Sequence, residues 1–290
     1  MLRILGTIFA ALLGLAFGSF LNVCLSRWPE GESVTRPRSH CRSCGRTLAW
    51  WENIPLLSWM VQRGRCRNCG VRIGVRYPLV EAAVAVLWAL LVWYSNEDVF
   101  AFDVPADLRA LNIAATVCGL GFLWLLIALA ALDAEHLWLP DSLTFPGIVL
   151  GIVMKVMFEQ FGFHESGSPQ PLHAFFIYVA SAAAAAAFIL LIRWLYWLIR
   201  RREGLGLGDA KLMALLAAWL GLPLAMVALF LGVALGAVAA VAILAGRSNR
   251  ARESWAAMPL PFGTFLCIGG IITALWGQQI LAAYLRWSGF

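Results

Sequence analysis

Two aspartates and four cysteines carry the chemistry this chain can do. Asp133 follows the apolar run LWLLIALAAL and opens DAEHLWLPD, while Asp209 closes GLGLGD and precedes the apolar run AKLMALLAAWL. A carboxylate at the edge of a hydrocarbon layer is costly to place, so it is by default a functional candidate. Two carboxylates sharing one proton let one activate water while the other protonates a leaving group, which is the chemistry of an aspartic protease. Taken alone, Asp133 reads equally well as a marker of a span end, and Asp209 as the N-cap of the run that follows it.

Gly204, Gly206 and Gly208 alternate just before Asp209. They remove side chains beside a carboxylate, so a peptide backbone can approach it closely, and Gly206 and Gly208 are the candidate substrate-binding positions. The run lacks the GxGxxG spacing and the preceding strand of a dinucleotide loop. Lys211 is either an interfacial anchor or an electrostatic neighbour of the site. LWLPD reads as an interfacial turn after the span that ends near Asp133, with Pro140 stopping any continuing helix, and Asp141, with Ser142 and Thr144, reads as the cap of the next span.

Cys41-x2-Cys44 and Cys66-x2-Cys69 are separated by 21 residues. Each CxxC turn lets two thiolates grip one ion, and two turns complete a closed tetrahedral site, so a structural Zn2+ is expected on Cys41, Cys44, Cys66 and Cys69. An iron–sulfur or redox dithiol site is the alternative. Gly45 and Gly70 follow the second cysteine of each pair, where such turns call for positive φ. The surrounding arginines favour thiolate, and a reducing compartment argues against disulfides. No His or carboxylate stands at ligand spacing for an open catalytic metal. His40 reads as a surface residue, and Cys24, Cys118 and Cys267 as packing residues within apolar runs.

These groups must be positioned by membrane helices. The chain has 290 residues, 61% of them hydrophobic and 13% charged, which makes it an all-α polytopic membrane protein. Apolar stretches near 2–25, 77–95, 110–132, 143–161, 172–199, 210–220, 224–245 and 260–285 give about eight spans. The sixth is short, with Gly221-Leu222-Pro223 as the turn into the seventh. The segment 26–76 holds ten arginines against Glu30, Glu32 and Glu52. Basic loops stay cytoplasmic, so the N-terminus is periplasmic and Asp133, Asp141 and Asp209 all face the cytoplasm. Eight spans also put the acidic loop Asn96–Arg109 outside, and Arg200–Arg202 with Arg247, Arg250 and Arg252 inside. The net charge of +6 is this bias and needs no nucleic acid.

The expected organisation is a first transmembrane helix over 1–25, a cytoplasmic zinc-binding loop over 26–76, and a seven-helix membrane domain over 77–290 carrying both aspartates. Residues 2–25 have poor features for a cleaved signal peptide. Within the loop, LAWWENIPLLSW is either an interfacial segment that seats the zinc module on lipid or a small core for the module itself. The alanine run 182–187 suggests close helix packing.

The chain resembles the type IV prepilin peptidases, the bacterial leader peptidases of the GxGD aspartic class. The resemblance is carried in order by GSFLNVCLSRWP, RPRSHCRSCGRTLAWWENIPLLSW, GRCRNCGVRIGVRYPLVE, LDAEHLWLPDSLTFP, EGLGLGDAKL and LPFGTFLCIGG. It implies that Asp133 and Asp209 are the catalytic pair, and that the basic leader of prepilins and type II secretion pseudopilins is removed at the cytoplasmic face of the inner membrane. It also implies N-methylation of the new N-terminal residue with S-adenosylmethionine, and zinc on the four cysteines. One departure is the threonine of PFGT, where a second proline is common; little consequence is expected. The leader is basic, so acidic side chains such as Glu30, Glu32, Glu52 and Glu81 are candidates to meet it. The alternatives are a noncatalytic zinc-stabilised scaffold or transporter, with the glycines as a span break, and an enzyme whose main activity is methyl transfer.

Overall fold

The computed structural model describes residues 1–95, 105–161, 171–201, 206–245 and 260–288. Gly204, Arg202, Arg247, Arg250, Arg252 and most of the acidic loop (Glu97, Asp98 and Asp103) lie outside the described residues. Nine α-helices are described: α1 (Leu2–Arg27), α2 (Leu57–Val61), α3 (Arg76–Tyr94), α4 (Ala106–His136), α5 (Asp141–Phe161), α6 (Pro171–Arg200), α7 (Leu207–Leu220), α8 (Leu222–Ala245) and α9 (Phe262–Ser288). No strand occurs among the described residues, only two isolated bridges in the cysteine loop. Seven of the helices are long and apolar enough to cross a membrane. The chain divides into two compact units, Met1–Ala128 and Leu129–Phe290.

In the first unit, α1 and α3 pack backbone to backbone. A Cβ at Gly14 would stand 2.8 Å from the Ala85 Cα, and one at Gly18 would stand 2.7 Å from the Glu81 Cα. Small residues four apart thus form the contact face, as close packing in lipid requires. Leu21, Cys24 and Leu25 extend this buried face, and Val84 and Trp88 meet it from α3. The loop between the two helices carries α2, two single 3-10 turns and the cysteines. Within it the tryptophans divide. Trp50 and Trp51 are exposed and meet edge to face, whereas Trp59 is half-buried and donates its indole N–H to the Ile73 carbonyl at 3.2 Å. The loop's tryptophans therefore supply both a small core and an exposed aromatic edge.

In the second unit the shortest long helix is the most enclosed. Ten of the fourteen residues of α7 are buried, because its sequence is apolar on every side, and α5, α6, α8 and α9 all touch it. At 1.5 Å per residue it reaches about 21 Å, less than the roughly 30 Å of a hydrocarbon core. The expected break is present, since Gly221 takes φ +82° between α7 and α8. Around it, Trp219 lies against Gly151 and donates to the Gly147 carbonyl at 2.9 Å, and α8 meets α9 at Gly232 and Gly269. The alanine run packs on one face only: Ala182 and Ala185 are buried, whereas Ala183 and Ala184 are exposed.

Candidate active site and metal centre

Asp133 stands in the last turn of α4. That helix ends at His136, four residues before Pro140, because the proline disfavours helical backbone at the residue before it and Leu137 turns left-handed at φ +51°. The turn closes with the Leu137 N–H donating to the Asp133 carbonyl at 2.9 Å. The side chain is only 6% exposed, and its neighbours come from far along the chain. The Thr264 N–H, in the first turn of α9, donates to Asp133 Oδ2 at 2.6 Å, and the Thr264 hydroxyl lies 3.0 Å from the same oxygen. That hydroxyl also lies 3.1 Å from the Ala130 carbonyl. Glycine at 263 leaves room for this approach, since a Cβ there would stand 3.0 Å from the Asp133 carboxylate.

Asp209 stands in the first turn of α7 and is 8% exposed. It is not the N-cap. Gly206 occupies that position, and Asp209, three residues on, accepts the Gly206 N–H at 3.1 Å, which satisfies one orphan donor of the helix start. Asp133 acts electrostatically on Asp209, and the buried Cys267 lies within electrostatic reach of both. One leucine bridges the two sides: Leu139 Cδ1 would meet a Cβ at Gly208 and a Cβ at Gly263, each at 3.1 Å. Gly208 is therefore covered by Leu139, while a Cβ at Gly206 would meet Asp209 Oδ2 only at 3.5 Å. Asp141 opens α5 and forms an ion pair with Lys211, whose ammonium also lies 5.4 Å from the Phe145 ring centre. Lys211 is thus engaged by Asp141.

Thr264, Gly263 and Leu139 were not singled out by sequence reasoning. The only signal was the departure in PFGT itself: a proline in place of Thr264 would have no N–H to give Asp133. The arrangement gives two buried carboxylates with different donors. One oxygen of Asp133 takes two donors from Thr264, while Asp209 takes one backbone N–H. Such a pair is equipped to move a proton to and from water and a leaving group.

The four cysteine sulfurs lie within 4.8 Å of one another, and Cys41 Sγ and Cys69 Sγ are 3.8 Å apart. A tetrahedral ion with metal–sulfur bonds of about 2.3 Å needs sulfurs about 3.8 Å apart, so the cluster suits such an ion. The two turns are copies. Cys41 N–H donates to the Arg46 carbonyl and Gly45 N–H to the Cys41 carbonyl; Cys66 with Val71 and Gly70 with Cys66 repeat the pattern. Gly45 at φ +69° and Gly70 at φ +70° take the left-handed conformation expected of them. The Cys44 thiol is pulled down to about 6, first by the Arg46 backbone N–H and then by the Asn68 amide, and the Cys66 thiol is lowered by the backbone N–H groups of Cys69 and Asn68. Thiolate is thus favoured at Cys44 and Cys66 by backbone dipoles, where the sequence pointed to arginine side chains, whereas the Cys69 thiol, against the pull of the Val71 backbone N–H, is pushed up to about 11 by burial and the neighbouring sulfurs. His40 stays outside the cluster, its Nδ1 3.1 Å from the Arg38 carbonyl. Cys24 and Cys267 are buried and Cys118 is half-buried.

Fold and geometry define a polytopic helical membrane protein with a carboxylate pair in one unit and a four-thiol cluster in the other. Residues 12–95 match the bacterial peptidase A24 N-terminal domain, and residues 120–241 match the type IV leader peptidase family. The chain is 34% identical to a prepilin leader peptidase/N-methyltransferase of Pseudomonas aeruginosa, over 96% of this chain and 93% of that protein. It is 37% identical to one of Burkholderia pseudomallei, over 93% and 85%, and 32% identical to one of Aeromonas hydrophila, over 94% and 92%. No solved structure matches the chain. The chain belongs to the type IV leader peptidase family.

Proposed function

We propose that this protein is a membrane aspartic endopeptidase that removes the leader from prepilins and type II secretion pseudopilins, and that it also N-methylates the new N-terminus. The observation that carries the reading is that Asp133 and Asp209 are both buried, at the end of one helix and the start of another, with Asp133 within electrostatic reach of Asp209 and Leu139 against Gly208 and Gly263. In this reading one carboxylate takes a proton from water as the oxygen adds to the scissile carbonyl carbon. The other carboxyl gives its proton to the departing amine nitrogen as the carbon–nitrogen bond breaks. The Thr264 donors hold Asp133 in place, and the substrate backbone approaches along Gly206 and Gly208, with Leu139 as the side chain it meets there.

The four cysteines hold a structural zinc ion that fixes the loop. The methyl donor is S-adenosylmethionine, which supplies an electrophilic methyl carbon. The protein works in the bacterial inner membrane, in contact with lipid and with its N-terminus in the periplasm. The arginine-rich loop and both aspartates face the cytoplasm, where a basic leader and the apolar segment after it would meet the pair. No nucleic acid is involved.

The test is to incubate the purified, detergent-solubilised protein with a prepilin and S-adenosylmethionine and to read the product by mass spectrometry. The reading predicts loss of the leader and gain of one methyl group on the new N-terminal amine. Intact prepilin after full incubation contradicts it, and a noncatalytic scaffold then becomes the better description.

A further inference from the structure

Within the unit Met1–Ala128, a cavity of about 320 Å3 lies between the cysteine loop and the facing stretches of α1 and α3. Its volume is that of a small-molecule site, and its polar groups are not those of a leftover void. Asn22, Glu52 and Glu81 line it, and each is more than nine-tenths buried. The Asn22 amide donates to the Tyr77 carbonyl at 2.9 Å, which leaves its Oδ1 buried with no donor. Glu52 Oε2 accepts from Arg46 at 2.7 Å and from the Ala49 N–H at 2.9 Å, and its Oε1 is buried with no donor. Glu81 accepts the Leu56 N–H at 2.8 Å. Leaving a buried acceptor unpaired costs about 1–3 kcal/mol, so two in one small cavity call for a partner that brings donors.

The missing partner must therefore carry hydrogen-bond donors, and it must be small; Arg27, Arg42 and Arg72 line the cavity beside Glu32, Glu52 and Glu81, so a zwitterionic molecule can be met at both charges. Trp59 and Tyr77 stand on the same walls, Tyr77 with the Arg76 guanidinium 4.8 Å from its ring centre, and aromatic walls suit a flat ring. S-adenosylmethionine has this chemistry: an ammonium, a sulfonium, an adenine amine and two ribose hydroxyls.

We infer that this cavity is the methyl-donor site, with Asn22 Oδ1 and Glu52 Oε1 accepting from the donor's polar groups and Glu81 facing its positive charge. The inference rests on the methyltransferase reading above and adds the place and the residues. It also separates the two chemistries, since none of these residues belongs to the carboxylate site.

Two experiments test it on the full chain in detergent. Isothermal titration with S-adenosylhomocysteine compares wild type with Asn22→Ala and Trp59→Leu, neither of which the cleavage reading uses, and prepilin cleavage of each variant reports its folding. Binding at least tenfold weaker in both variants, with leader removal retained, supports the site; wild-type affinity in both overturns it. Photolabelling of the wild-type protein with 8-azido-S-adenosylmethionine, followed by peptide mapping, needs no variant. Label on peptides containing Asn22, Glu52, Trp59 or Tyr77 supports the inference, and label confined to residues 129–290 overturns it. Should Asn22→Ala weaken the substrate peptide and leave S-adenosylhomocysteine untouched, the cavity takes the substrate amine and the inference also fails. A wild type that cleaves yet neither methylates nor binds S-adenosylhomocysteine removes the methyltransferase reading itself.

Discussion

The cysteine cluster draws its four sulfurs from two turns 21 residues apart, each closed by its own backbone hydrogen bonds and its own left-handed glycine. The carboxylate site is assembled from the end of α4, the start of α7 and the start of α9, and the Asp133–Thr264 contacts span 131 residues. A site built from local turns is complete once its segment folds. A site built from distant helix ends exists only when the helices around α7 are packed, so its geometry is sensitive to changes that the cluster would not feel.

The largest difference should come from one methyl group. Gly263→Ala would set a Cβ 3.0 Å from the Asp133 carboxylate and 3.1 Å from Leu139 Cδ1, so both must give by a few tenths of an ångström, and a full displacement of about 1 Å costs on the order of 100-fold. We expect kcat/KM for prepilin cleavage to fall by more than about tenfold, with bound zinc unchanged. Thr264→Val should cost less, since the backbone N–H still reaches Oδ2. Losing one hydrogen bond to a charged group, worth about 1.5 kcal/mol, lowers kcat about tenfold. Thr264→Ser should restore most of that rate, which a merely structural role for the residue does not predict.

The converse is to break the cluster and spare the carboxylates. Cys41→Ser with Cys66→Ser should abolish bound zinc, read by elemental analysis, and make the 26–76 loop sensitive to protease. Its effect on cleavage should be smaller than that of either change around Asp133, and full activity with no metal removes a necessary role for the ion. The smallest effect belongs to Glu52. Its carboxyl is held below the ordinary value of 4.5 by the Ala49 N–H and then by the Arg46 guanidinium, against the opposing effect of burial. Glu52 thus stabilises the loop at and above that value, and the contribution is lost as pH falls through its lowered pKa. Acid titration followed by tryptophan fluorescence should show loop loosening at low pH in wild type, and Glu52→Gln should flatten that transition.

What could be read from the chain follows the same division. CxxC spacing with a following glycine specifies a turn within a few residues, so both the cluster and the φ of Gly45 and Gly70 were legible. The long apolar runs marked their helices, and Gly221 marked the break after α7. Asp133 and Asp209 stood out because carboxylates are rare beside apolar runs. Their partners did not, since beyond the unusual threonine of PFGT nothing near Thr264 in the sequence signals a carboxylate that packing brings to it. The turn over LWLPD was legible from Pro140, and α4 does end before it, at His136, where Leu137 turns left-handed. The source of the lowered cysteine pKa values was misjudged for a related reason. Arginines are visible in a sequence, whereas the direction of a backbone N–H is set only when the turn forms.

The most direct test of the paired carboxylates is cleavage of a purified prepilin by Asp133→Asn and by Asp209→Asn, each compared with wild type at equal bound zinc. The account predicts that each single change abolishes leader removal while zinc stays at the wild-type level. Cleavage near the wild-type rate by either variant would make that aspartate structural and contradict the proposed pair.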